Sequence, residues 1–91
     1  SIYGDSGNFE KAIEFESQVS NIMKSIYGEN HINYAKSLSD LAFYHLSMTD
    51  YKASVKLEEE SLIIKRQLLG EEHTSCALSL SNLSMSHYFL E

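Results

Sequence analysis

The chain has 91 residues and a formal net charge of −6. This acidic excess argues against nucleic acid or an anionic membrane as the main partner, because both attract basic patches. No apolar run approaches the roughly 20 residues needed to span a bilayer. The single cysteine, Cys76, has no second cysteine for an internal disulfide. A lone thiol suits a reducing compartment, so we expect a cytoplasmic protein.

The first predicted element is a long helix from about Phe9 to Tyr27. Its apolar residues recur every three or four positions and define one helical face, namely Ala12, Phe15, Val19, Ile22 and Ile26. Gly28 follows at once, as expected of a C′ glycine in the left-handed conformation. Proline is absent, and no segment alternates polar and apolar residues for long enough to predict a strand. We therefore expect an all-α protein.

A shorter helix is predicted to begin near Asn33, whose side chain can cap exposed N–H groups, and to end at the polar turn 48–51. A second long helix follows from about Tyr51 to Leu69, and Gly70 after it is again expected to be a C′ glycine that can adopt the left-handed conformation. A second short helix begins near Ser75, whose side chain can also cap exposed N–H groups. The predicted apolar faces of these three helices are, in order, Ala35, Leu38, Leu41, Ala42 and His45; Ser54, Leu57, Ser61, Ile64 and Leu68; and Ala77, Leu80, Leu83, Ser84 and His87. The residues expected to be buried are Ala12, Leu38, Leu41, Leu80 and Leu83.

The second half of the chain repeats the first at a fixed offset of 42 residues. GENHINYAKSLSDLA from Gly28 aligns with GEEHTSCALSLSNLS from Gly70, and NFEKAIEFE (8–16) aligns with DYKASVKLE (50–58). We divide the chain into a partial repeat (1–27), a complete unit (28–69) and a second partial repeat (70–91). Amphipathic helices of this kind cannot stand alone, so we expect helix pairs that stack on one another.

This unit resembles the tetratricopeptide repeat, and most of all the 42-residue type of kinesin light chains and nephrocystin-3-like proteins. The matching segments are LLGEEHTSCALSLSNLS (68–84), IYGENHINYAKSLSDLA (26–42) and GNFEKAIEFE (7–16). The resemblance implies antiparallel helix pairs stacked as a right-handed solenoid. The chain departs from the family pattern at Ile32 and Thr74, which replace a proline, and at Thr49, which replaces a turn glycine.

The resemblance also implies that the short helices line a concave groove that binds a partner's peptide. The residues predicted to line it are Lys36, Ser39, Asp40, Phe43, Leu46, Ser47, Leu78, Ser81, Asn82, Met85, Tyr88 and Phe89. Asp40 and Asn82 stand where the family type commonly has an Asn that can bond a peptide backbone. Large apolar residues beside Asp40 favour a peptide with apolar anchors and some basic residues. The alternative is that the aromatic residues, above all Tyr88 and Phe89, pack against a neighbouring repeat.

The sequence gives little support for a metal site or for catalysis. His31 and His45 would lie about 20 Å apart on one helix, and His45 and His87 about 10 Å or more apart on neighbouring repeats. Zinc ligands must lie within about 2.1 Å of the ion, so we expect packing and capping histidines and no metal site. Glu14, Glu16 and the acidic run 58–60 are expected on a solvated face. With no phosphate loop or nucleophile motif, we expect no catalysis and no cofactor.

The leading hypothesis is a protein-interaction module within a larger scaffold or adaptor protein. The alternatives are a structural or oligomerising spacer and a non-catalytic segment of a larger enzyme. We also expect the apolar residues near both ends, including Ile2, Tyr3 and Leu90, to make the 91-residue chain marginally stable or to drive self-association.

Overall fold

The computed structural model describes the backbone of residues 6–90 and the side-chain environments of residues 8–90. Within 6–90 the chain forms four α-helices and no β-strand. The helices are α1 (Ser6–Tyr27), α2 (Ile32–Ser47), α3 (Tyr51–Leu69) and α4 (Thr74–Leu90). The all-α class is confirmed, and the bounds of α3 match the prediction. The predictions for Ile2 and Tyr3 lie outside the described residues.

The helices stack in chain order. α1 packs against α2, α2 against α3 and α3 against α4, and α2 also contacts α4. The connections 28–31, 48–50 and 70–73 are so short that consecutive helices run in opposite directions. One buried apolar cluster joins α2 to α3 and another joins α3 to α4; their members are Tyr34, Ala35, Leu38 and Ile64, and Val55, Leu62, Cys76 and Leu83. The right-handed coiling of the stack stays a prediction.

The two turns after the long helices each begin with a glycine of positive φ and have the same backbone hydrogen bond. Gly28 and Gly70 have φ of 83° and 89°, and each N–H donates to the carbonyl four residues earlier, at 2.9 and 3.1 Å. Gly70 is the C-cap itself, with ψ of 155°, so the prediction of a left-handed C′ residue is wrong for Gly70. Its backbone lies in a region that essentially only glycine enters. Glycine therefore remains the residue that this turn requires.

The short helices are capped by histidines. The N–H of Asn33 donates to Nδ1 of His31 at 3.0 Å, and the N–H of Ser75 donates to Nδ1 of His73 at 3.1 Å. The prediction that Asn33 and Ser75 act as caps is wrong, because α2 and α4 begin one residue earlier than expected and place both inside the first turn. An unprotonated imidazole nitrogen here accepts the bond that an Asn or Ser oxygen usually accepts.

The turn between α2 and α3 is a Schellman motif containing a threonine. The N–H of Asp50 donates to the carbonyl of His45 at 2.8 Å, and the N–H of Thr49 donates to that of Leu46 at 3.0 Å. This bond pattern requires a left-handed residue at the position of Thr49, whose φ is indeed 63°. A β-branched residue is strained in this conformation. The glycine that the family pattern places there would remove the strain.

The predicted apolar face of α1 is largely uncovered. Phe15 and Ile22 are 62% and 53% exposed, and Ile26 is exposed as well. Ala12, expected to be buried, is only half-buried, whereas Ser20 is buried. The residues at the positions of Phe15 and Ile22 in the next repeat, Leu57 and Ile64, pack against α2. The predicted face is therefore the side of α1 that would contact a preceding helix.

The predicted apolar face of α4 is also largely exposed. Leu83 is buried, but Leu80 is 45% exposed, so the expectation of burial is wrong for Leu80. Ala77, Ser84 and His87 are exposed too. Their counterparts Ala35, Leu38 and Ala42 in α2 are buried. The side of α4 that would contact a following helix is thus open, whereas the side toward α3 is covered.

Replacing Thr49 with Gly should raise the free energy of unfolding by about 0.5–1 kcal/mol. The left-handed conformation costs a non-glycine residue roughly 1–2 kcal/mol, and the added entropy of an unfolded glycine offsets about 0.5–1 kcal/mol of the gain. Urea denaturation measures the change. The control Lys56→Gly, at an exposed position within α3, should lower stability by up to about 1 kcal/mol. A loss of stability in Thr49→Gly would contradict the assigned turn.

Leu38 and Leu80 form a matched pair for the packing of α2 and α4. Leu38→Ala should lower the free energy of unfolding by about 2–5 kcal/mol, because it leaves a cavity between α2 and α3. Leu80→Ala makes the same chemical change at the equivalent, exposed position and should cost less than about 0.5 kcal/mol. Equal losses at low protein concentration would show that α4 is covered on both sides.

Candidate functional site

The predicted groove residues occupy six helical positions, each present once in α2 and once in α4. The pairs are Lys36/Leu78, Ser39/Ser81, Asp40/Asn82, Phe43/Met85, Leu46/Tyr88 and Ser47/Phe89. Because α2 contacts α4, the two sets lie on neighbouring helices. We call this surface the α2/α4 face.

Large apolar side chains are exposed on both halves of the α2/α4 face. Phe43 and Met85, at equivalent positions, are each about half exposed, and Tyr88 is 76% exposed. Phe43 meets the ring of Tyr44 edge-on at a centroid distance of 5.7 Å. Leu78 is exposed as well. Such side chains, presented at a repeating position, are the kind that contact apolar residues of a partner.

Phe89 has a packing role as well. Its ring stacks on Tyr51 of α3, with the centroids 5.1 Å apart and the planes 13° apart. Tyr88 meets Phe89 edge-on at 5.3 Å. The alternative in which the aromatics pack against a neighbouring element thus applies to Phe89, whereas Tyr88 remains open. Leu46 is half-buried, and the exposed Ser47 donates its hydroxyl to the carbonyl of Phe43 at 3.0 Å.

Ser39 connects the α2/α4 face to a buried polar network. Its hydroxyl donates to Oε1 of Glu58 at 3.0 Å and accepts from Nζ of Lys65 at 2.8 Å. The Oγ of Ser61 lies 2.8 Å away. Lys65 also donates to Oγ of Ser79 at 3.0 Å. Because Glu58, Ser61 and Lys65 belong to α3, the network ties α3 to α2 through Ser39 and to α4 through Ser79.

The expectation that the acidic run 58–60 is solvated is wrong for Glu58, which is 1% exposed, and correct for Glu59 and Glu60. The Oε2 atom of Glu58 is buried and has no hydrogen-bond partner in the part of the chain that the structure describes. Glu58, Ser61 and Lys65 are separated by three and four residues and so share one side of α3. This spacing was the signal in the sequence that could have placed Glu58 and Lys65 at the α2–α3 interface.

One part of the α2/α4 face is acidic. Burial raises the pKa of Asp40 above its usual range, although the ammonium groups of Lys65 and Lys36 oppose the shift. Burial also raises the pKa of Glu16 on α1, and the nearby charge of Asp40 raises it further. Two carboxylates from α1 and α2 therefore lie close enough to repel each other. A cationic group of a partner would relieve this repulsion.

Nothing in the described residues indicates a metal site or a membrane span. His31 and His73 serve as helix caps, and Nδ1 of His45 lies 3.2 Å from Oδ2 of Asp50. Among residues 6–90 no three His, Cys, Asp or Glu side chains are placed to hold a metal ion. Within the same range no helix is long and apolar enough to cross a membrane.

A surface pocket of about 260 Å³ lies between the α1–α2 turn and α3. It is lined by Glu29, Asn30, Tyr34, Glu60, Ile63, Ile64 and Gln67. Its volume is below the roughly 300–1,000 Å³ typical of small-molecule sites. None of the predicted groove residues lines it, so the α2/α4 face remains the candidate site.

Replacing Asp40 with Asn should stabilise the protein at neutral pH. The raised pKa means that the ionised carboxylate disfavours the folded state, and this cost disappears as the pH falls through the folded-state pKa toward the ordinary value of 3.8. The advantage of Asp40→Asn should therefore shrink over that acidic range. Asn already occupies the equivalent position 82, so the fold accommodates it.

Urea denaturation between neutral pH and about pH 4 tests this sign. The control Glu72→Gln removes the same charge from an exposed position in the α3–α4 turn and accounts for the effect of net charge alone. If Asp40→Asn stabilises no more than this control, or stabilises more as the pH falls, the assigned environment of Asp40 is wrong.

Comparison with known proteins agrees with the repeat in the sequence and with the all-α fold. A family model described as tetratricopeptide repeat matches residues 1–67, which include α2 and nearly all of α3. A search of curated proteins finds no match to this chain. The assignment to the kinesin light chain type stays a prediction from the sequence pattern. Tetratricopeptide repeats generally mediate contacts between proteins and are generally not catalytic. The chain belongs to the tetratricopeptide repeat family.

Proposed function

We propose that this chain is a protein-binding module whose α2/α4 face receives an extended peptide of a partner protein. The observation that carries the proposal is the repetition of one arrangement on two adjacent helices. Phe43 and Met85 are exposed at equivalent positions, and Asp40 and Asn82 precede them by one turn. The apolar groups supply contact area, while the carboxylate and the amide can bond backbone groups of an extended peptide.

The repeat spacing indicates how far apart the contacting residues of such a peptide would be. Equivalent positions on stacked helix pairs lie roughly 10 Å apart, and an extended peptide advances about 3.3 Å per residue. Apolar anchors of the peptide should therefore be separated by about three residues. Side chains two residues apart point the same way along a strand, so anchors spaced two to four residues apart form the set to test.

Charge favours basic residues in the peptide. Asp40 and Glu16 lie close enough for the charge of one to raise the pKa of the other, and the chain as a whole carries −6. An Arg or Lys beside the apolar anchors would pair with these carboxylates. Lys36 is the single basic residue among the predicted groove positions, which disfavours a clamp for a terminal carboxylate.

The parent protein in this proposal is a cytoplasmic scaffold or adaptor, and this segment contributes binding without catalysis. The buried, unpaired thiol of Cys76 supports a reducing compartment. A structural or oligomerising role is the second candidate. It is favoured by the open helix sides of α1 and α4 rather than by the α2/α4 face.

Binding of labelled synthetic peptides, followed by fluorescence anisotropy, tests the proposal. The set carries two Leu or Phe anchors separated by two to four residues, flanked by Arg in one series and by Glu in the other. The Arg series should bind better. The double variant Phe43→Ala with Met85→Ala should weaken binding at least tenfold, since removing central apolar anchors costs more than about 1.4 kcal/mol.

The matched control is Ile63→Ala, which removes an exposed apolar side chain from α3 outside the α2/α4 face and should leave affinity unchanged. Asp40→Lys should reverse the preference between the Arg and Glu series. If the face variants bind as the unaltered chain does, or if Ile63→Ala is equally harmful, the peptide site is not on this face.

A further inference from the structure

Two helix sides in the described chain have no helix packed against them. On α1 this side carries Phe15, Val19 and Ile22, and we call it the α1 outer side. On α4 it carries Ala77, Leu80 and Ser84, and we call it the α4 outer side. Phe15, Ile22 and Leu80 are 62%, 53% and 45% exposed. None of these six residues belongs to the α2/α4 face.

The 42-residue offset shows what each side is built to contact. Shifted by one repeat, the α1 outer side becomes Leu57, Ser61 and Ile64 of α3, and the α4 outer side becomes Ala35, Leu38 and Ala42 of α2. These two sets face each other within the molecule. Ala35, Leu38 and Ile64 form one buried cluster with Leu57 packed against it, and Ser61 donates its hydroxyl to the carbonyl of Ala35 at 2.7 Å. The two open sides are thus copies of the two halves of the α2–α3 interface.

We propose that the α4 outer side of one copy of this chain packs against the α1 outer side of a second copy and reproduces the α2–α3 packing. In this arrangement Leu80 takes the place of Leu38, and it meets Ile22 and Phe15 in the places of Ile64 and Leu57. The partner is therefore another copy of the same chain, joined head to tail. This surface and its occupant do not depend on the peptide site proposed above.

The chemistry of the two sides suits this contact. α4 contains no Asp, Glu, Lys or Arg, so it adds no like charge against a second acidic copy. Ser81 stands at the position of Ser39 and Glu16 at that of Glu58, so the Ser39–Glu58 hydrogen bond has a counterpart between copies. Val19 replaces Ser61. The intermolecular contact is therefore more apolar at this position than its internal template.

A head-to-tail contact uses two different surfaces, so a pair of copies keeps one free α1 outer side and one free α4 outer side. Association of this type extends into open chains unless the geometry closes a ring. Each added copy also continues the row of short helices that presents the α2/α4 face. Assembly would then multiply peptide sites along one filament and raise avidity for a partner with several such peptides.

Sedimentation velocity on the 91-residue chain, over a wide range of concentration, tests the proposal. The average mass should rise with concentration above the 10.3 kDa of one chain. Ile22→Glu disables every α1 outer side and Leu80→Glu disables every α4 outer side, so each variant alone should remain monomeric. An equimolar mixture should form heterodimers and stop there, because Leu80→Glu still offers an intact α1 outer side to the intact α4 outer side of Ile22→Glu.

Ile63→Glu is the matched control, since it places the same charge at an exposed position of α3 and should associate like the unaltered chain. Circular dichroism verifies that each variant is folded, and Phe15→Glu with Ala77→Glu form a second complementary pair. An unaltered chain that stays monomeric at high concentration overturns the proposal. So does association that survives in either single variant, or a mixture that remains monomeric, because both outcomes exclude a head-to-tail contact through these sides.

Discussion

The packing of α2 against α3 is the contact on which the rest of this structure depends. Helices of 16 to 22 residues are marginal in water when alone, so each needs neighbours to cover its apolar sides. Within the described chain α2 lies between α1 and α3, and α3 lies between α2 and α4. α1 and α4 each have one side covered. The inner pair therefore fixes where the outer helices sit and how the α2/α4 face is formed.

The α2–α3 interface combines an apolar cluster with the network of Ser39, Glu58, Ser61 and Lys65. Burying a carboxylate and an ammonium group is costly, so their hydrogen bonds favour the alignment of the helices in which both groups have partners. Here serine hydroxyls bond both charged groups, so the two helices have one favourable register. Because Lys65 also bonds Ser79, the same register extends to α4. The relative positions of Phe43 and Met85 on the α2/α4 face follow from this alignment.

The resemblance to the tetratricopeptide repeat placed the candidate site on two short helices, which stays a prediction. The 42-residue offset and the glycine positions were enough to predict the helix order and most helix bounds. They were not enough to predict burial. An apolar stripe such as that of Phe15 and Ile22 shows which side of a helix needs cover but not whether a neighbour is present, and the same holds for Leu80. Glu58 was missed because three successive glutamates look alike in sequence, although a helix points them in different directions. The packing of Phe89 was foreseen as an alternative, but its partner Tyr51 was not predicted, because the residue equivalent to Phe89 in α2 is Ser47, which has no ring.

Native-state hydrogen exchange at a protein concentration low enough to prevent association tests the central role of the α2–α3 interface most directly. Amides in the middle of α2 and α3 should exchange only through global unfolding. Those of α4 should exchange at least tenfold faster through local opening, because that helix is covered on one side. If the amides of α4 are as well protected as those of α2, the stability of the molecule does not depend on its inner pair, and the central role assigned to the α2–α3 interface is wrong.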